Sequence, residues 1–309
     1  MFCQSTPYNP DTDIPSLKGK FILITGGNVG LGKQSALAIC KHHPSQVWIA
    51  ARSAEKANTA IAEIKKQVPD SDVSLRFLEL DLASFDLVKS AAKTLLASVS
   101  RLDILLLNAG IMARPPGLTK EGYEIQFGTN HVGHALLLKL LLPLLVKTAS
   151  APASDVRVVS VSSVAHKFGP SGGIQFDTLK TLAEAMATND RYGQSKLANI
   201  LYAREVARRY PQLTTVAIHP GTVKTDLQKS NDGSFIVSAF QKVVVPIIGV
   251  SVEEGVKNQL WAATGEGVKN GEYYVPVGIP GKGSALSMDR ELSQKLWEWT
   301  EKELGVCSV

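Results

Sequence analysis

Tyr192 and Lys196 stand four residues apart in a segment, residues 191–210, patterned as a helix and stopped by Pro211. That spacing puts both side chains on one helix face. Reducing a carbonyl with hydride leaves an alkoxide that needs a proton. A phenol with a pKa of about 10 is a poor donor near neutrality. A neighbouring ammonium favours the phenolate and is expected to lower that pKa; a shift of about three units corresponds to roughly 4 kcal/mol. The Tyr-x-x-x-Lys pattern is common on solvated helix faces, but it occurs once in this chain. Ser163 ends an apolar run and is placed to hold a substrate oxygen through its hydroxyl, with Ser162 as its rival. Asn130 is expected to begin a long helix, where its amide either holds a water leading to Lys196 or caps the helix.

A second group of residues suits a phosphate. Gly26, Asn28, Val29, Gly30, Leu31 and Gly32 follow a short apolar strand and open a helix. Glycines let the backbone turn sharply and approach a ligand closely, and the helix N-terminus offers N–H groups and a positive dipole end. In a dinucleotide site an acid some twenty residues later usually accepts from the ribose of NAD. Arg52 occupies that place, and its guanidinium suits the 2′-phosphate of NADP. Asp81 and Leu82 end the third strand, where the carboxylate reaches either an adenine edge or the next helix. Asn108, Ala109 and Gly110 end the fourth, as a path under the adenosine ribose or an ordinary turn. Pro220 and Gly221 turn the chain after the sixth, so that Val223 N–H and Thr225 Oγ bind the nicotinamide carboxamide or a phosphate, or simply shape a turn.

These residues need a frame, and the hydrophobic pattern supplies one. Strands are expected at 20–24, 46–51, 73–80, 102–107, 156–161, 213–219 and 271–276. Helices are expected at 33–40, 54–68, 84–99 (capped by Ser84), 130–147, 191–210 and 289–304. Repeated strand–helix units imply an α/β fold: one doubly wound parallel sheet of about seven strands with helices on both faces and ligands at the strand carboxyl ends. No linker divides residues 1–309, so a single domain is expected. Within it, residues 227–285 form a substrate-lid and last-strand region. The apolar Phe235, Phe240 and Ile247 there suggest a sizeable hydrophobic substrate or a lid helix packed on the core. Trp297 reads as core.

The net charge of +5 is mild and carries no basic block, which argues against nucleic acid. Cys3, Cys40 and Cys307 are scattered, which argues against disulfides or zinc and suits a reducing, cytoplasmic setting. His131 and His134 lack a third ligand, so packing or hydrogen bonding is the expected role and no metal site is read. The first fifteen residues are not patterned as a signal or a membrane helix, and the apolar stretch 135–146 is too short to span a bilayer.

In this order, Thr25-Gly-x-x-x-Gly-x-Gly32, Asn108-Ala-Gly110, Asn130, Ser163, Tyr192-x-x-x-Lys196 and Pro220-Gly221 resemble the short-chain dehydrogenase/reductase family. The resemblance covers about residues 17–226. Asn130-His-Val-Gly-His134 and Ser195-Lys-Leu-Ala-Asn199 look like its retinol-dehydrogenase-like branch. Leu107 stands where the family has a first Asn, and the interval from Ser163 to Tyr192 is longer than usual. The resemblance implies a single-domain Rossmann fold, NADP(H) as cofactor, and a catalytic set of Asn130, Ser163, Tyr192 and Lys196. Tyr192 and Lys196 would also touch the cofactor. A homodimer or tetramer packed on the Asn130 and Tyr192 helices is implied as well. The activity expected is an NADPH-dependent carbonyl reductase or alcohol dehydrogenase for a hydrophobic ketone, aldehyde or secondary alcohol, with a place in lipid or secondary metabolism. The alternatives are a non-catalytic NADP-binding regulator and a non-redox isomerase or dehydratase.

Overall fold

The computed structural model describes residues 5–69, 71–224 and 249–305. The runs expected as strands form one parallel sheet: β1 Phe21–Thr25, β2 Gln46–Ala51, β3 Ser74–Glu79, β4 Ile104–Leu107, β5 Arg157–Val161, β6 Thr214–Ile218 and β7 Tyr273–Tyr274. Their order across the sheet is β3-β2-β1-β4-β5-β6-β7, with every pairing parallel. The order reverses between β1 and β4, so a crevice opens at their carboxyl ends. This is the doubly wound Rossmann architecture.

Both sheet faces are covered, which is why the inner strands read as unbroken apolar runs. In β1, Ile22 and Ile24 face α1 (Gly30–Cys40), α2 (Ala54–Gln67) and α6 (Lys257–Thr264), together with Ile39, Ile64 and Trp261. Leu23, between them, faces the other side with Leu105, Leu137 and Leu201. There lie α3 (Phe85–Ser98), α4 (Ile125–Ala149), α5 (Thr188–Arg209) and α7 (Arg290–Leu304).

Several expectations need correction. The long helix α4 starts at Ile125 and not at Asn130: Glu124 caps it, accepting from Phe127 N at 2.7 Å. Asn130 lies inside a π-helical turn, Gly128–Val132, a distortion frequent at functional sites. At 25 residues α4 is long and apolar enough to cross a membrane, unlike the shorter stretch expected, yet 67% of its most apolar window is buried inside the protein. It is the central helix of the core. Ser84 precedes α3 without a side-chain cap; Glu121 supplies the acceptor, taking Phe85 N at 2.7 Å. The last strand shrinks to two residues because Val275 leaves the sheet to bridge Ile279.

α7 packs Leu296, Thr300 and Leu304, one turn or two apart, against α4 and α5. Trp297 stacks on Tyr202 at 5.0 Å, as its assignment to the core anticipates, and Arg209 lies 4.5 Å over it. Cys40 is buried and free. Cys3, Cys307, Thr225 and the apolar lid residues, Phe235, Phe240 and Ile247 among them, lie outside the described residues.

Candidate active site

The glycine loop turns where the strand order reverses. Gly26 takes φ +64° and Gly30 φ +51°, in the left-handed region that glycine tolerates. A Cβ on Gly32 would collide with the Gly26 carbonyl. The helix α1 has Val29 as its N-cap, without a side-chain acceptor or an acid in its first turn. Its first N–H groups and dipole therefore suit an anion. Asn28 and Leu31 are half-buried beside the loop and Val29 is exposed. This bare, glycine-lined helix start fits the pyrophosphate of a dinucleotide.

Asn108 supports this loop from beneath: its Nδ2 donates to Thr25 O at 2.8 Å. Thr25 Oγ1 accepts from Asn108 N and Ala109 N, both at 2.9 Å. Gly110 passes so close to two candidate catalytic residues that a Cβ would lie 3.1 Å from Asn130 Oδ1 and 3.4 Å from Lys196 Nζ. On the adenosine side, Arg52 is exposed just past β2. Asp81 uses one carboxylate oxygen on Ala83 N at 2.9 Å, so it shapes the turn into α3. Leu82 is buried in the core, with its carbonyl against Gly133 of α4. Past β6, Gly221 takes φ +93°, and Val223 is buried and bridges Val250.

The two serines meet different partners. Ser162 is buried and donates its hydroxyl to Lys196 O at 2.6 Å, so it holds the backbone of α5. Ser163 is half-exposed and hydrogen-bonds the Tyr192 phenol. Its Oγ also accepts from Ala165 N at 3.1 Å, and its carbonyl accepts from His166 Nδ1 at 2.7 Å. His166 Nε2 in turn accepts from Ser284 N at 3.1 Å, which anchors the turn carrying Ser163.

Tyr192 and Lys196 share the face of α5 beneath this turn. Burial pushes the Tyr192 phenol up to about 12, against a smaller lowering by its bond to Ser163. Burial pushes the Lys196 ammonium down to about 8. The expected lowering of the phenol by its lysine is absent here. Lys196 Nζ lies 5.6 Å from the Tyr192 ring centroid and donates to Val161 O at 2.9 Å, so desolvation outweighs the neighbouring charge.

Asn130 is fully buried. Its Oδ1 accepts from Ile111 N at 2.8 Å, and its Nδ2 donates to Ile111 O and Ser195 Oγ, both at 2.9 Å. The amide therefore does not cap a helix; it ties the segment after β4 to α5. Ser195 Oγ donates onward to Tyr192 O at 2.7 Å. A buried ion pair assists: Arg191 NH1 donates to Glu124 Oε1 at 3.1 Å, and NH2 to Arg114 O at 3.1 Å. Sequence reasoning missed these supports. Glu124 and Arg191 are remote in sequence, and Ser195 carried a signal only in its place one turn past Tyr192.

Comparison with known proteins agrees with this geometry. The family model described as short chain dehydrogenase matches residues 20–234. A short-chain dehydrogenase/reductase of Armillaria gallica is 38% identical, over 94% of this chain and 91% of its own length. Human retinol dehydrogenase 13 is 33% identical, over 94% and 86%. Among solved structures, an uncharacterized protein from Mycobacterium paratuberculosis superposes with a TM-score of 0.75 at 29% identity, covering 97% of this chain and 98% of that one.

Proposed function

This chain belongs to the short-chain dehydrogenase/reductase family, in its retinol-dehydrogenase-like branch, and from that premise we propose that it is an NADPH-dependent carbonyl reductase or alcohol dehydrogenase. The substrate class is a hydrophobic ketone, aldehyde or secondary alcohol. The observation that carries the reading is the convergence of Ser163, Tyr192 and Lys196 at the carboxyl end of β5, beside the bare N-terminus of α1.

The glycine loop would hold the pyrophosphate, Arg52 the 2′-phosphate, Asp81 the adenine edge, and Lys196 with Tyr192 the nicotinamide ribose. NADP(H), when bound, supplies or accepts the hydride. The chain's own residues handle the oxygen and the proton. Ser163 Oγ holds the carbonyl oxygen beside Tyr192. The phenol, kept protonated at neutral pH by burial, donates its proton to the alkoxide oxygen. Lys196 is the nearby charge that stabilises the phenolate left behind. Val164 and Phe168, exposed on the turn following Ser163, give the approach an apolar edge suited to a hydrophobic substrate.

The test is a panel of ketones, aldehydes and secondary alcohols, followed by NADPH absorbance, on the parent protein and on Tyr192→Phe. The expected result is turnover by the parent, none by Tyr192→Phe, and equal NADPH binding by both. Undiminished turnover by Tyr192→Phe refutes the mechanism. NADPH binding without turnover of any panel member moves the chain to a regulator or a non-redox enzyme.

A further inference from the structure

His134 lies one turn past Asn130 in α4, buried, with both ring nitrogens engaged. Nδ1 is 3.0 Å from Asn130 O, and Nε2 is 2.9 Å from Thr25 Oγ1. A carbonyl oxygen only accepts, so Nδ1 carries the proton and donates, and Nε2 of the neutral ring must accept. Its donor is the Thr25 hydroxyl, whose other contact, to Leu106 O, is longer at 3.4 Å. Thr25 Oγ1 accepts in turn from Asn108 N and Ala109 N. One donated and two accepted bonds complete that hydroxyl.

The chain of bonds then continues without a gap. The Asn130 side chain grips Ile111 and Ser195, and Ser195 Oγ donates to the carbonyl of Tyr192. Thr25 begins the glycine loop, Asn108 and Ala109 form its floor, and Tyr192 is the proton donor. The imidazole joins the first of these directly to the π-turn.

We propose that His134 is a positioning residue: its ring fixes the Asn130 carbonyl of the π-turn to Thr25 at the mouth of the glycine loop. It thereby holds the cofactor floor and the Tyr192–Lys196 face of α5 in one register. The catalytic part of this inference rests on the oxidoreductase reading above; the structural coupling does not.

The test compares His134→Leu, which removes both bonds, with His134→Gln, which keeps one donor and one acceptor. His131→Leu is the control, since His131, also buried in α4, bonds Thr300 of α7 instead (3.0 Å). Three readouts are taken on folded protein: amide exchange, NADPH affinity, and kcat against KM with a substrate from the panel. A buried polar group left unpaired costs about 1–3 kcal/mol, equivalent to roughly five- to 150-fold in an equilibrium. His134→Leu should speed exchange at residues 108–111 and 128–134 and weaken NADPH binding about tenfold or more. It should lower kcat with substrate KM little changed. His134→Gln should restore most of each. His131→Leu should lower the melting temperature and leave exchange at 108–111 and NADPH affinity unaltered.

Equal exchange and affinity in parent and His134→Leu overturn the proposal, as does a His131→Leu variant that reproduces the His134→Leu pattern. If no panel member is turned over, the oxidoreductase reading fails, while the exchange and affinity contrasts still decide whether His134 couples the two sites.

Discussion

On the proposed mechanism, Tyr192 acts as an acid before it acts as a base. Burial holds its phenol at about 12 and brings Lys196 to about 8, so Lys196 is the first of the two to lose a proton as pH rises. The rate of carbonyl reduction should therefore be flat from about pH 6 to 8 and fall above that through one deprotonation. A profile flat to about pH 10 would assign the charge no role. The same mechanism separates the two serines. Ser163→Ala removes the hydroxyl that bonds the phenol and should lower kcat by about a hundredfold or more, the scale for losing one donor to a developing oxyanion. Ser162→Ala loses a buried bond to Lys196 O and should cost about 1 kcal/mol of stability with a much smaller change in kcat. Steady-state kinetics beside urea melts of both variants reads the difference. At Arg52 the prediction concerns cofactor choice: Arg52→Ala should weaken NADPH binding about tenfold or more and leave NADH binding nearly unchanged, and equal weakening of both would remove the 2′-phosphate assignment.

At the scale of elements, the buried pair Arg191–Glu124 joins the start of α5 to the start of α4. The side chains are 2% and 0% exposed, so removing one partner leaves a charge stranded. Arg191→Leu should destabilise the fold by about 3–5 kcal/mol, measured by denaturant unfolding. Where elements begin is also where sequence reasoning met its limit. The strands were legible to within a residue or two, apart from β7, because burial on both faces writes them as apolar runs between turn residues. The start of α4 was not, because Gly128 and Asn130 look like a helix entry while the actual cap, Glu124, lies upstream. The start of α3 shows a related limit: Ser84 stands at the cap without a side-chain bond, and the acceptor for the first N–H of the helix is Glu121, distant in sequence. Motif spacing was enough to bring Tyr192, Lys196 and the glycine loop forward as candidates. It left Ser162 and Ser163 undecided, because adjacent residues differ only in which way the strand end turns them. It also misjudged the phenol, since a neighbouring lysine is visible in the sequence and the depth of burial is not.

For the whole molecule, the packing of α4, α5 and α7 leads to predictions about acid stability and about assembly. Burial holds His131 neutral with its pKa near 3 and His134 with its pKa near 4. The unfolded chain takes up these protons below about pH 6.5. The stabilisation is complete above that value and is lost as pH falls toward the folded values, roughly 3 kcal/mol for His134 alone; urea midpoints at pH 7 and pH 4.5 should show the drop. Assembly follows from what α7 covers. The family resemblance implies a dimer or tetramer packed through α4 and α5, and such an interface needs about 800 Å² of free surface on each partner. Here Leu296, Thr300 and Leu304 of α7 fill that face from within the chain, with Trp297 stacked on Tyr202 and Thr300 bonded to His131. What α5 leaves exposed at this end is charged, Arg208 and Arg209, both paired with Glu205. With that face covered, the 309-residue chain should scatter light as a single chain at micromolar concentration, in place of the dimer or tetramer that the resemblance implies. Leu296→Asp, which lifts α7 from its seat, should produce self-association through the uncovered apolar face. A stable dimer of the parent that survives Leu296→Asp unchanged would place the subunit contact elsewhere and leave α7 a purely internal helix.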